Sequence, residues 1–257
     1  MTFTCTTLRR IARPNQGILM MAHRGHGAAC RRLAAALLGG LSLLASTQAA
    51  AGPFLFGGAS LAGGGERSEY AGISGNLLPV PFLTQKLVIS DYHYKYGTNG
   101  TTVSVNGQAA EAALGVQKGW STGWAEFSAG ARYRYNRVSP EGADNRSDGG
   151  EWGLALTVLG QQEFARNWAI NGIASYNFGP KAYWARGRLL YKVFGDAWAG
   201  VEFIKHGDPF YHATQGGLVL TGIAVGKGVN LGFFAGAKKT AGEPRAFYGG
   251  LELSKAF

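Results

Sequence analysis

Between Gly123 and Val138 the side chains alternate residue by residue. Ala125, Phe127, Ala129, Ala131, Tyr133 and Tyr135 fall on one face of an extended chain, and Glu126, Ser128, Gly130, Arg132, Arg134 and Asn136 on the other. Such a segment suits either a soluble sandwich or the wall of a membrane barrel. Beyond the first 51 residues no stretch approaches the roughly 18 apolar residues that a membrane helix needs. If this chain crosses a bilayer it does so as a closed ladder of strands, because hydrocarbon leaves no other way to satisfy backbone polar groups. Polar residues for a lumen and tyrosines near strand ends favour the barrel over the sandwich.

The same alternation recurs along the chain. Tyr92, Tyr94 and Tyr96 share a face opposite Asp91, His93 and Lys95, and by analogy with the first segment the tyrosines are expected to face lipid. Trp152, Leu154, Leu156 and Val158 share a face, as do Trp168, Ile170, Ala174, Tyr176 and Phe178. Tyr183, Ala185, Leu189, Tyr191 and Val193 oppose Trp184, Arg186, Arg188 and Lys192, which puts three cations on the lumen side. The pattern predicts an all-β, up-and-down antiparallel transmembrane barrel of about twelve strands, at 54–62, 70–78, 86–96, 101–118, 123–138, 149–163, 168–178, 181–193, 197–206, 211–225, 229–240 and 245–257. Gly97-Thr98-Asn99-Gly100, Gly195-Asp196 and Gly207-Asp208-Pro209 supply turn chemistry between them. The polar run 139–149 reads as an extracellular loop. The 41 glycines, lacking a Gly-X-Y period, fit curved strands packed beside aromatic rings rather than collagen.

Ahead of the strands, Arg24, Arg31 and Arg32 precede an uncharged run from Leu33 to Leu44 and then Ala49-Ala50-Ala51. These are the n-region, h-region and cleavage site of a signal peptide over residues 1–51, with Met20 and Met21 as alternative starts. The run is too short for an anchor. Residues 52–257 are the expected mature barrel, exported by the general secretory route to the outer membrane, where lipid is its surrounding partner. Both cysteines, Cys5 and Cys30, leave with the leader, so the mature chain has neither disulfide nor thiolate site. Six arginines and no acid leave too, reducing the formal charge from +10 to +4. So small an excess, without a basic module, argues against nucleic acid as partner.

Motifs for chemistry are sparse. His93, His206 and His212 have no metal-ligand spacing, so neither a metal nor another cofactor is expected. His206, Asp208 and His212 cluster near one turn with Thr214 following, but a serine nucleophile is missing. Residues 222–228, GIAVGKG, lack the Walker spacing and read as a turn between strands. The expected lumen residues Arg132, Arg134, Trp184, Arg186, Arg188 and Glu202 are the candidate site. They admit a structural reading, ion-pair ladders with Glu126, Glu151, Glu202 and Asp91 that fill the barrel, and a functional one, in which they line a pore or, with Trp184, form a site for sugar hydroxyls. The structural reading is preferred. The terminal Phe257, in step with Leu251 and Leu253, resembles the signal by which outer-membrane assembly machinery recognises barrels, although Lys255 interrupts the apolar series.

NGIASYNFG at 171–179, YWARGRLLYK at 183–192, AGVE at 199–202 and GDPFY at 207–211 follow one another in an order that resembles the cellulose biosynthesis protein BcsS family, with weaker likeness in AGARYR at 129–134 and NRSDGGEWG at 145–153. The resemblance implies an exported barrel that serves a cellulose synthase system, with glucan and secretion components as partners and no catalytic residues to carry over. The function expected is therefore a non-enzymatic accessory of exopolysaccharide secretion. The alternatives are a small-solute porin and, less favoured, a lipid-modifying enzyme built on His206 and His212.

Overall fold

The computed structural model describes residues 53–76, 80, 82–98, 100–141 and 148–257. The expected signal peptide, and residues 142–147 of the polar insertion, lie outside the described residues. Apart from a 3-10 turn at Gly63–Gly65 and short connections, the described residues are strand: β1 (Phe54–Ala62), β2 (Glu66–Asn76), β3 (Leu83–Thr98), β4 (Thr101–Trp120), β5 (Gly123–Ser139), β6 (Gly149–Ala165), β7 (Trp168–Asn177), β8 (Ala182–Phe194), β9 (Ala197–Gly207), β10 (His212–Gly226), β11 (Val229–Thr240) and β12 (Arg245–Ala256). Each strand pairs antiparallel with its neighbours in chain order, and β1 closes the ring on β12 from Phe54↔Ala256 to Ala62↔Tyr248. Closure leaves no unpaired edge, the condition for a strand wall in hydrocarbon.

At one end of the barrel the connections after β4, β6, β8 and β10 are two residues each, and the C-terminus lies there too. The longest connection, between Ser139 and Gly149, is at the other end. Short turns are periplasmic and long loops extracellular in barrels of this type.

The outward face of the middle section is apolar. Leu114, Val116, Phe127, Leu154, Val158, Ile170, Leu189, Val201, Leu218, Phe233 and Leu251 are between 40 and 69% exposed. Exposure on that scale is costly in water, and it marks the lipid belt. Their neighbours of opposite parity, among them Glu126, Ser128, Thr157, Arg188 and Glu202, are buried in the lumen. The alternation anticipated for β5, β6, β7 and β8 therefore faces as expected.

The expectation for Tyr92, Tyr94 and Tyr96 is overturned, since these rings point into the lumen. Tyr92 donates to Asn136 Oδ1 at 2.8 Å, Tyr94 meets Tyr211 at 4.4 Å between ring centroids, and Tyr96 is buried with Val103, Val105 and Val138. Asp91, His93 and Lys95 face outward. His93 Nδ1 lies 2.9 Å from Asn106 Oδ1, and Asp91 accepts from Gln108 and pairs with Arg67. The reason is strand length. β4 runs for 20 residues; at about 3.3 Å per residue and a tilt of about 40° it rises about 50 Å, twice the roughly 25 Å of the lipid belt. Its upper half and its partners stand in water, so polar side chains turn outward and apolar ones inward. The same effect explains why β2 begins at Glu66 rather than at Tyr70, since Glu66 to Glu69 belong to this collar.

Two glycines are required by geometry. A Cβ on Gly107 would sit 2.1 Å from the Tyr92 ring, so only glycine lets that ring lie flat on β4. Gly222 has φ of +74° at a register shift between Leu220 and Ile223, a bulge within β10. This corrects the reading of 222–228 as a turn, because only Lys227 and Gly228 connect β10 to β11.

The belt and collar should differ in their tolerance of charge. Val158→Arg is expected to cost roughly 2–4 kcal/mol in urea unfolding from lipid vesicles, whereas Ser104→Arg, on the outward face of the collar, should change stability by less than about 0.5 kcal/mol.

Candidate functional site

Strand parity carries every candidate lumen residue inward. In β8, even-numbered Trp184, Arg186, Arg188 and Leu190 pair with His206, Ile204, Glu202 and Gly200 of β9. In β12 the inward series is Tyr248, Gly250, Glu252 and Ser254. A ring of twelve strands puts β8 and β12 four positions apart, and long side chains bridge that gap.

Arg188 is the hub. Its Nε donates to Glu202 Oε2 at 2.7 Å, and its Nη1 and Nη2 donate to the two oxygens of Glu252 at 2.8 and 2.9 Å. Arg186 Nη1 reaches Glu252 Oε1 at 2.5 Å, and its guanidinium lies 5.6 Å from the Trp184 ring. Tyr248 donates to Glu202 Oε1 at 3.2 Å. The side chain of Arg188 is 4% exposed and that of Glu202 is fully covered. A fork matched by two carboxylates is the arrangement that offsets desolvation of a buried guanidinium.

A second cluster lies on β3, β4 and β5. Glu111 holds Lys86 at 3.1 Å and Arg132 at 3.2 Å, and Lys86 also donates to Ser128 at 3.5 Å. Higher up, Arg134 reaches Glu151 at 3.3 Å and crosses to Asp208, at 3.6 Å, in the connection between β9 and β10. Asp208 also accepts the backbone N–H groups of Phe210 and Tyr211, which folds that connection inward. Lys238 on β11 pairs with Glu66 on β2 beneath a rim cavity of about 320 Å³.

Tyr96, Val103, Val105, Val138, Tyr211 and Ala213 form an apolar cluster across the extracellular end. Tyr94 on β3 and Tyr211, just ahead of β10, meet from opposite walls. Burial pushes the Tyr211 phenol up in pKa, against the opposing pull of Lys238, so it is neutral at physiological pH.

Arg132, Arg134, Trp184, Arg186, Arg188 and Glu202, the residues expected in the lumen, all face inward, and the last four form one cluster. Of the partners anticipated, Glu151 and Glu202 pair with these arginines. Asp91 does not, because it faces outward. Glu111 and Glu252 were missed. Their signal lay in the alternation of β4 and β12, where glutamate is the charged residue of an inward series. His206 and His212 do not share a site. His206 faces the lumen, 3.1 Å from Gln215, while His212 faces out, 3.4 Å from the Tyr183 hydroxyl. Among the described residues no group of three or more metal-ligating side chains gathers.

Removing Glu252 leaves two buried guanidinium groups short of a carboxylate. Glu252→Ala is expected to destabilise the barrel by roughly 3–5 kcal/mol in urea unfolding, with a smaller loss for Glu151→Ala, whose carboxylate is partly exposed.

The fold is similar to that of a solved outer-membrane channel, and two further barrels align at lower scores. An outer membrane channel from Pseudomonas putida F1 superposes with a TM-score of 0.52 at 11% identity, over 83% of this chain and 98% of that one. The translocator domain of the autotransporter NalP from Neisseria meningitidis gives 0.49 at 11% identity, over 91% and 98%. The KdgM porin gives 0.46 at 11% identity, over 79% and 99%. No curated protein matches the sequence. The family model for cellulose biosynthesis protein BcsS matches residues 43–257, which spans every strand, so this outer-membrane-type barrel belongs to the BcsS family of cellulose biosynthesis proteins.

Proposed function

We propose that this barrel is a non-enzymatic, non-conducting accessory of cellulose secretion at the outer membrane, with its lumen serving as structure and its extracellular collar as the working surface. The observation that carries this reading is contact across the lumen between strands that are not neighbours in the ring: Arg186 and Arg188 on β8 with Glu252 on β12, and Tyr94 on β3 with Tyr211 beside β10. The Arg188 guanidinium is matched on all three nitrogens by Glu202 and Glu252, and Arg186 shares the Glu252 carboxylate while its buried Nε has no partner among the described residues. Glucan contact with Arg188 or Glu202 would first have to break those pairs, leaving buried charges unmatched.

The collar offers what the lumen does not. On the outward face of β2, β3 and β4, Arg67, Asp91, His93, Asn106 and Gln108 present charged and amide groups to solvent. Donors and acceptors of this kind suit sugar hydroxyls or the polar rim of another secretion component. The family links the chain to cellulose synthesis, and this surface lies on the side from which an exported glucan departs.

In planar lipid bilayers the purified protein is expected to give no steady single-channel steps, whereas Arg186→Ala with Arg188→Ala should introduce them. Steady conductance of the unsubstituted protein would overturn the reading in favour of a small-solute channel. In cells, His93→Ala with Gln108→Ala should lower the yield of exported cellulose while the barrel level in the outer membrane is unchanged.

A further inference from the structure

The outward face of β9 to β12 differs from that of β2 to β4. Every carboxylate on these four strands, Glu202 and Glu252, points into the lumen, where the arginines of β8 take it up. Among the outward residues near the extracellular end are Lys205, Thr214, Lys239 and Arg245. They form one continuous row in the ladder, Lys205↔Thr214, Thr214↔Lys239 and Lys239↔Arg245. At about 4.8 Å between strands the row spans about 14 Å. Among the described residues neither Lys205 nor Arg245 has an ion-pair partner, and the Lys239 ammonium is held only by the backbone carbonyl of Glu243. The Glu243 side chain turns instead towards Gly97.

Directly against this row the wall is grooved. A cavity of about 230 Å³ is lined by Phe203, Thr214, Gly216, Ala237, Lys239 and Arg245. Its floor is shallow because Gly216 and Ala237 carry little or no side chain. Phe203 stands beside it at 56% exposure, and Phe247, two residues below Arg245 on β12, is 87% exposed. Three cations thus stand above a small-residue channel walled by rings.

We propose that this face binds a phosphorylated glycolipid of the outer leaflet, with its phosphates on Lys205, Lys239 and Arg245 and one acyl chain along Gly216 and Ala237 between Phe203 and Phe247. Charge complementarity selects the occupant. A row of three cations without an outward carboxylate suits a headgroup with more than one phosphate, and Arg245 can engage one bidentately. The row lies at the extracellular end, so the lipid it meets is that of the outer leaflet. The groove supplies the apolar half of the recognition, which a free phosphate could not use.

The test uses the purified mature protein in non-ionic detergent, titrated with diphosphoryl lipid A, dephosphorylated lipid A, phosphatidylglycerol and inorganic phosphate, with bound lipid read by native mass spectrometry. Diphosphoryl lipid A should bind at least about tenfold more tightly than each of the others. The combined variant Lys205→Gln, Lys239→Gln and Arg245→Gln should erase that preference, while Arg166→Gln, in the periplasmic turn after β6, should keep it. Heat-modifiable migration on gels establishes that each variant retains the closed barrel, and single substitutions take the place of the triple variant if it does not fold. Equal binding of phosphorylated and dephosphorylated lipid A overturns the proposal. So does equal binding of phosphatidylglycerol or inorganic phosphate, or an undiminished preference in folded variants lacking the cations.

Discussion

In a membrane barrel the outer surface is committed to hydrocarbon, so the polar groups of the spanning strands have to find their partners inside. In this protein that requirement converges on the Arg188 guanidinium, which is held between Glu202 of the adjacent strand and Glu252 from a strand four positions around the ring. Pairs of this kind do little better than break even against the cost of removing both charges from water. Their effect is geometric, because five donors in a rigid plane dictate where the two carboxylates stand and hence how closely two walls approach. Twelve strands could enclose open space; the arginine fork draws the walls together at mid-height, and Arg134 reaching to Asp208 does so above it.

Along its axis the barrel changes character. At the level of lipid the rule is apolar outside and charged inside, as in Phe127 against Glu126 and Ser128. Above the lipid the rule reverses, with Asp91, His93 and Asn106 outside and Tyr94, Tyr96, Val103 and Val105 packed inside. The reversal follows from the solvent on each side, since the hydrophobic effect buries whichever face can be removed from water. A water-soluble β-structure is thereby mounted on a membrane-spanning one with no break in the strands. One set of strands thus carries an apolar outer face at the level of lipid and a polar outer face above it.

Much of this was legible in the primary structure. The number of strands and their order, and their boundaries to within two residues except at the starts of β2 and β3, follow from alternation and turn chemistry, because period-two patterning is local information. The inward placement of Arg132, Arg134, Arg186, Arg188 and Glu202 follows from the same parity. The facing of Tyr92, Tyr94 and Tyr96 was not legible. Parity tells which residues share a face but not which face meets water, and the assumption that tyrosines mark the lipid boundary fails once a strand outruns the bilayer. Parity also separates His206 from His212, because nearness in sequence around a turn gives no assurance that two side chains lie on the same side of a wall.

What the sequence by itself determined is the wall: strands alternating for two media, joined by short turns, and a family membership that spans them. What only the tertiary structure decided is the interior and the rim. Glu252 meets Arg186 and Arg188 across 64 or more residues of chain, and Lys238 meets Glu66 across 172. Contacts at such separations depend on ring closure and on the stagger of strands around it, quantities set by the sum of every register in the barrel rather than by any one segment.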